Sequence, residues 1–326
     1  MDPQQPAHRY PAPGGRAEPV RPDAFAAVMA TGIVSIAAAD HGYDRVSAGL
    51  AVLAAVALPV LMFLAAMSRR RDGWDLREID TAVGLLTFVA ACAVLAARFS
   101  DHEAAVWVLG TMALLGWVSL MPIVVSRVWR LRWTGLRGRA HGAWELVSVA
   151  TAGLAIVFVA LGILFWGTAF WLLALCWYLV MTSLVVWRIG ADPAMRRDVP
   201  PDHWILMGGL AVSTLAGDHL HHALPPGPFA DAVRHVTIGT WVLATLWIVP
   251  LLSVGWRRVR AWPAVFPLGM YASATFAMYR ETGWRWLDVV SAIAFWIALA
   301  VWLLTFLRFR RAFVRPPIVS APKSRD

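Results

Sequence analysis

From Leu146 to Trp187 the chain runs 42 residues without one Asp, Glu, Lys, Arg or His. As a single helix this run would reach roughly 60 Å at about 1.5 Å per residue, about twice the hydrocarbon thickness of a bilayer. It is therefore expected to cross a membrane twice, over about 144–165 and 168–187, with the turn at Gly167 and Thr168. Composition agrees. Hydrophobic residues make up 59% of the chain and charged residues 15%, whereas a soluble domain needs roughly a quarter of its residues charged.

The net charge of +9 would point to nucleic acid in a soluble protein. Here the basic residues fill the gaps between apolar runs, so they set orientation; the partner they imply is the lipid bilayer and no nucleic acid is expected. Cys92 and Cys176 both fall inside apolar runs and read as small hydrophobes, with no disulfide or metal framework.

Cutting the chain wherever charge or turn residues interrupt the apolar runs gives ten spans. They cover approximately 23–39, 46–67, 80–97, 103–126, 144–165, 168–187, 203–217, 233–254, 261–279 and 286–307. The fold class is all-α integral membrane, with one transport domain over 23–307. Residues 1–22 contain six prolines and lack the apolar core of a signal peptide, so a disordered cytoplasmic tail is expected there. Residues 308–326 are basic and proline-broken and read as a second cytoplasmic tail.

The termini and the gaps after spans 2, 4, 6 and 8 hold 24 of the 29 basic residues, including Arg69, Arg70, Arg71, Arg257, Arg258 and Arg260. The opposite gaps hold only Arg45, Arg98, Arg234, Arg280 and Arg285. Cytoplasmic loops carry the excess of Lys and Arg. Both termini are thus expected on the cytoplasmic side of a multi-pass cell (inner or plasma) membrane protein, which requires an even number of spans.

A second alternation separates odd spans from even ones. Odd spans are rich in Gly, Ser and Thr, as in MATGIVS at 29–35, TAVGLLT at 81–87, SVATAG at 148–153 and MGGLAVST at 207–214. Even spans carry mid-helix tryptophans such as Trp107, Trp117, Trp171, Trp177, Trp241, Trp247, Trp296 and Trp302. Large side chains suit a lipid-facing or subunit-facing ring, so the expectation is five helical hairpins, odd helices inside and even helices outside. The small residues then either leave a lumen open or pack helices tightly around a closed core.

No Asp, Glu, Lys, Arg or His lies mid-span, and Asp80 and Glu145 come nearest, both at cytoplasmic ends. Ion-coupled pumps usually carry such groups at membrane depth. A neutral path favours anions moving down their gradient. The ninth span, WPAVFPLGMYASATFAM at 262–278, breaks the pattern of a lipid-facing helix. Pro267 frees a carbonyl and Gly269 gives local adaptability. Phe266 falls roughly 10 Å or less from the cytoplasmic end of this helix. A ring there can plug a narrow lumen or gate it by dewetting, or it is simply a packed aromatic. Gly208 and Gly209 interrupt the short seventh span, a helix weakness that marks either a substrate path or a helix crossing at paired glycines.

Asp218, His219, His221, His222, Asp231 and His235 follow that span around Pro225, Pro226 and Pro228. They invite a metal-site or membrane-enzyme reading, but there is no HExxH motif and no paired-cysteine spacing, so a solvated external loop without metal is expected. Nor is there a P-loop, a GxGxxG after a strand, or a Ser/His/Asp set. Neither catalysis nor a cofactor is expected.

FAAVMATGIVSIAA at 25–38 and VFPLGMYASATFAM at 265–278 resemble the first and ninth helices of the tellurite-resistance/dicarboxylate transporter family. That family includes malate permeases, sulfite efflux pumps and the slow anion channels of plant guard cells. The resemblance implies a pore of five inner helices ringed by five outer ones, commonly in a homotrimer, with a ninth-helix phenylalanine plugging the centre. Phe266 matches that phenylalanine, and Met29, Thr31, Gly32 and Ser35 match the first-helix segment. Ala30 departs from the commoner glycine, and Gly208–Gly209 stand where relatives often have glycine then proline.

The sequence thus leads to passive transport of small anions, such as C4-dicarboxylates, sulfite, chloride or tellurite-like oxyanions. The path is expected along Met29, Thr31, Gly32, Ser35, Gly84, Thr87, Gly153, Gly208, Gly209, Pro267, Gly269 and Ser273, with Phe266 as gate. Proton-coupled dicarboxylate or sulfite transport, through protonation of the substrate itself or of a group near the span ends such as Glu145 or His219, is the alternative within transport. A membrane metal enzyme built on residues 219–235 is the alternative from another class.

Overall fold

The computed structural model describes residues 21–76, 78–192, 200–255 and 262–314. Among these, the chain forms ten α-helices and no strand. The helices are α1 (Ala26–Asp40), α2 (Asp44–Asp72), α3 (Ile79–Arg98), α4 (Glu103–Arg139), α5 (Leu146–Ala160), α6 (Leu164–Ala191), α7 (Trp204–Ala223), α8 (Pro228–Gly255), α9 (Trp262–Thr282) and α10 (Arg285–Val314). Short 3-10 turns, Gly142–Glu145 and Pro201–His203, lead into α5 and α7.

Seven helices (α2 to α6, α8 and α10) are long and apolar enough to cross a membrane, with α5 counted together with the turn before it. The remaining three are odd-numbered: α1 is apolar but only 15 residues long, and α7 and α9 have 20 and 21 residues. In their apolar stretches α3 and α5 have 78% and 83% of residues buried, whereas α2, α4 and α8 have 28% or fewer. Large side chains such as Phe63, Leu115, Phe165, Leu179 and Val249 stand exposed on the even helices. In water such a surface would aggregate; it is suited to lipid or to another apolar partner.

Each odd helix packs against the even helix that follows it. The odd helices also pack on one another in a closed order: α1 on α3, α3 on α5, α5 on α7, α7 on α9, and α9 back on α1. Tight connections at residues 41–43, 99–102, 161–163, 224–227 and 283–284 join each pair at one end of the bundle, the turn end. Arg69–Arg71, Arg127, Arg130, Arg139 and Arg188 mark the other, basic end.

Several boundaries differ from the sequence expectation. The turn inside the long apolar run is at 161–163, not at Gly167 and Thr168. Gly162 adopts φ +73, a conformation that favours glycine, and closes the turn. Gly167 is instead helical, where a Cβ would stand 2.7 Å from Val159 Cγ2, so its small size lets α6 lie on α5. Helix α4 continues to Arg139, well past 126, and at 37 residues it is about 55 Å long, so it outruns a bilayer at the basic end. Helix α7 extends to Ala223, which makes Asp218 to His222 helical rather than loop, and Asp231 and His235 belong to α8. Helix α10 runs through 308–314, into the expected C-terminal tail. Residues 1–20 and 315–326 of the expected tails, and Arg257, Arg258 and Arg260, lie outside the described residues.

Candidate functional site

Helix α9 starts Trp262–Pro263, and proline is tolerated in a first turn because its missing N–H would be unpaired there anyway. Pro267 lies one turn further in, so its missing donor leaves the Pro263 carbonyl without its usual helical partner, yet the helix continues to Thr282. Phe266 is wholly buried at 0% exposure, and no water-sized space touches it. Met29 and Ile33 on α1, Leu86 and Leu95 on α3, Leu154 on α5, and Leu206 and Met207 on α7 are also fully buried, as are the hydroxyls of Ser148, Thr151, Ser213 and Thr275, so the odd helices are closed to solvent along these side chains.

Every residue expected along the path is buried, and all lie on α1, α3, α5, α7 and α9. The glycines have a consistent role: they meet neighbouring helices. A Cβ on Gly269 would stand 2.9 Å from Ile33 of α1, and one on Gly32 would stand 2.8 Å from Val94 of α3. One on Gly153 would stand 2.9 Å from Ala93 of α3, and one on Gly209 would stand 3.0 Å from Ser148 of α5. On Gly208 it would meet Pro267 of α9 at 3.1 Å. Each of the five contacts between odd helices thus contains a glycine where the backbones approach, which is what small residues permit in membrane bundles. Gly84 packs on Pro22 and Asp23, the lead into α1.

The hydroxyls divide. Thr31 Oγ1 donates to the Ala27 carbonyl at 2.7 Å and accepts from Trp302 Nε1 at 2.9 Å, which turns it toward α10. Thr87 Oγ1 donates to the Gly84 carbonyl at 2.6 Å. Ser35 Oγ donates to the Ser47 carbonyl and, with Ser47 Oγ, accepts from the Arg98 guanidinium at 2.9 Å. Ser273 Oγ is buried and makes no hydrogen bond of normal geometry among the described residues, although Asp40 is near enough to act on it. Ser273 is seven residues after Phe266, two turns along the same face of α9.

The basic end carries a polar cluster that sequence reasoning found only in part. His141 lies between Asp202 and Asp80, with Nδ1 2.5 Å from Asp202 Oδ2 and Nε2 3.1 Å from Asp80 Oδ1. Trp144 Nε1 donates to Asp80 at 2.9 Å and the Ala143 N–H to Asp202 at 3.2 Å. Burial opposes a charge on His141, but the hydrogen bonds and charges of Asp202 and Asp80 outweigh it and raise its pKa to about 9. Burial likewise opposes ionisation of Asp202, yet hydrogen bonds from His141 and His203 hold its carboxyl well below the usual range. Gly142 has no room for a side chain: a Cβ would fall 2.3 Å from the Asp202 carbonyl oxygen. An adjoining cleft of about 440 Å³ is lined by Glu78, Asp80, Arg139, His141 and Arg188. Glu145, fully buried at the start of α5, accepts from Ser148 Oγ at 3.0 Å and from Thr182 Oγ1 at 2.5 Å. The sequence signal for the cluster was Asp80 and Glu145 near span ends. His141 and Asp202 fell in gaps with no pattern to link them across 61 residues.

Even helices with exposed apolar faces, buried odd helices and charged groups near the ends define a multi-pass membrane protein. Residues 19–309 match the model of the voltage-dependent anion channel family, and the chain belongs to that family. It is therefore an anion-transporting membrane protein of a family of channels and transporters rather than enzymes. An uncharacterized membrane protein of Mycobacterium tuberculosis is 29% identical over 145 residues, covering 40% of this chain and 73% of that protein. An uncharacterized transporter of Methanocaldococcus jannaschii is 22% identical over 339 aligned positions, covering 88% of this chain and 91% of its own length. Another from the same organism is 23% identical over 156 residues, covering 44% of this chain and 43% of its own.

Proposed function

We propose that the chain conducts small anions passively along the axis of the odd helices, with the even helices as an outer ring and Phe266 as the plug. Two observations support this reading: the closed order of contacts among α1, α3, α5, α7 and α9, and the complete burial of Phe266 on α9. Five helices in a ring at roughly 8 to 10 Å spacing place their axes about 7 to 8.5 Å from the centre. A helix with its side chains has a radius of roughly 5 to 6 Å, so the space left is about one ion or one aromatic ring wide.

The substrates are small mono- or divalent anions, among them C4-dicarboxylates, sulfite, chloride and tellurite-like oxyanions. Buried hydroxyls such as Ser273, with the carbonyl freed by Pro267, replace part of the lost hydration. The chain works in the cell membrane with both termini cytoplasmic, so the basic end is the inner mouth. Exposed apolar faces of the even helices give it a surface for assembly as a homotrimer. The test is anion flux into proteoliposomes for wild type and Phe266→Ala. A plug predicts a large gain in flux; unchanged flux from a variant that folds and reconstitutes as wild type overturns it.

Glu145 favours a second reading, proton-coupled transport, because a buried carboxyl held only by hydroxyls is able to take up a proton. Under that reading Glu145→Gln abolishes the response of flux to an imposed pH gradient. Passive conduction predicts no such response in wild type.

A further inference from the structure

The turn end of the bundle gathers side chains that conduction does not use. Helix α7 ends with Asp218, His221 and His222, and α9 brings Glu281 beside them. Ligand-capable atoms of Asp218, His222 and Glu281 all lie within 4.8 Å of one another. His222 Nε2 is 3.6 Å from Glu281 Oε2, and His221 Nε2 is 3.7 Å from Glu281 Oε1.

Both imidazoles are held from behind. His222 Nδ1 donates to the Asp218 carbonyl at 2.9 Å and His221 Nδ1 to the Ala230 carbonyl at 3.0 Å. A carbonyl only accepts, so each neutral ring keeps its proton on Nδ1 and its lone pair on Nε2. The His222 lone pair then faces Glu281 Oε2, which also only accepts, whereas Oε1, opposite His221, already accepts from Arg234. Two acceptors at such range call for a cation between them, either a proton or a metal ion.

The distances separate these choices. A proton shared between imidazole and carboxylate draws nitrogen and oxygen to about 2.7 to 2.9 Å. Two ligands about 2.1 Å from one zinc ion, at the tetrahedral angle, stand roughly 3.4 Å apart. The 3.6 Å between His222 Nε2 and Glu281 Oε2 matches the second case. The Glu281 and Asp218 side chains are sunk, at 10% and 16% exposure, while His222 at 56% forms an open lip. The Arg234 guanidinium donates to Glu281 Oε1, which orients the carboxylate and leaves Oε2 toward His222. Backing hydrogen bonds of this kind are what metal-ligating side chains usually have.

We propose that Asp218, His222 and Glu281, with His221 at the edge, bind a borderline transition-metal cation of the Zn2+ class. Arg234 and Arg280 offset the two carboxylates, so affinity has to come from imidazole and ligand geometry. That disfavours Ca2+ and Mg2+, which take oxygen ligands. Bound metal ties the end of α7 to the end of α9, the helix that carries Phe266, and so restrains opening. This consequence rests on the conduction path proposed above; metal binding itself does not.

The experiment uses the untagged full chain in detergent, dialysed against Zn2+ and analysed for metal, with Co2+ absorption as a spectroscopic reporter. Wild type is expected to hold one zinc per chain and to give a visible Co2+ band. His222→Ala and Asp218→Asn lose both, and His235→Ala, on exposed α8, keeps both. His222 is half-exposed, so its alanine variant is expected to elute as wild type does. Wild type binding no more zinc than His222→Ala overturns the site. In a flux assay, Zn2+ at the turn end slows anion movement in wild type but not in His222→Ala. Zinc that binds without slowing flux overturns the coupling to α9 and leaves the site and the conduction reading standing.

Discussion

Replacing His141 with Gln tests whether the polar clamp at the basic end holds three segments together. His141 is pinned between Asp80 of α3 and Asp202 ahead of α7, and its side chain is 26% exposed. Its pKa rises from 6.5 to about 9, and one unit is worth about 1.4 kcal/mol, so the clamp contributes about 3 kcal/mol when protonated. Asp202, held low by the same partner, reports that interaction from the other side and adds nothing to the sum. The sign follows from linkage: a raised folded-state pKa gives stability that is fully present below about pH 6.5 and is lost as pH climbs through about 9. Wild type in mixed micelles, unfolded by SDS at about pH 6 and about pH 9.5, should lose most of that 3 kcal/mol, while His141→Gln shows a nearly flat profile. The variant is also weaker at neutral pH, because Asp202 is left buried without its partner. Parallel pH profiles for the two proteins would refute the argument.

Gly142→Ala should be worse than losing the imidazole, because its Cβ meets the backbone of Asp202 and His203 at 2.3 to 2.5 Å and neither can yield. We expect a loss of about 3 kcal/mol or more, read as reduced yield of monodisperse protein, and full wild-type stability would show that the two segments are not in contact. Gly32→Ala meets Val94 Cγ1 at 2.8 Å, and overpacking of about 1 to 3 kcal/mol opposes a helix-propensity gain of about 1 kcal/mol. Val94→Ala in the same chain should recover that loss in a double-mutant cycle; a Gly32→Ala variant as stable as wild type would instead place Gly32 beside open space.

The sequence by itself determined that this chain is a ten-helix membrane protein, because long uncharged runs have only one solvent in which they can be buried. Small residues alternating with tryptophan-bearing spans also marked the odd helices, and these are the more deeply buried ones. The same pattern could not say whether a glycine leaves space or removes it. Contacts decided that: Gly32, Gly153, Gly208, Gly209 and Gly269 each let two odd helices approach. It could not place the turn of the long apolar run either, since Gly162 and Gly167 look alike until one takes a positive φ and the other packs on Val159. Polar partnerships were least legible. His141 with Asp202, Arg98 with Ser35 and Ser47, and Glu281 with His221 and His222 join residues far apart in the chain. Hydropathy marks the apolar helices along the chain, but only the packing of one helix on another brings such side chains within hydrogen-bonding or ion-pairing reach.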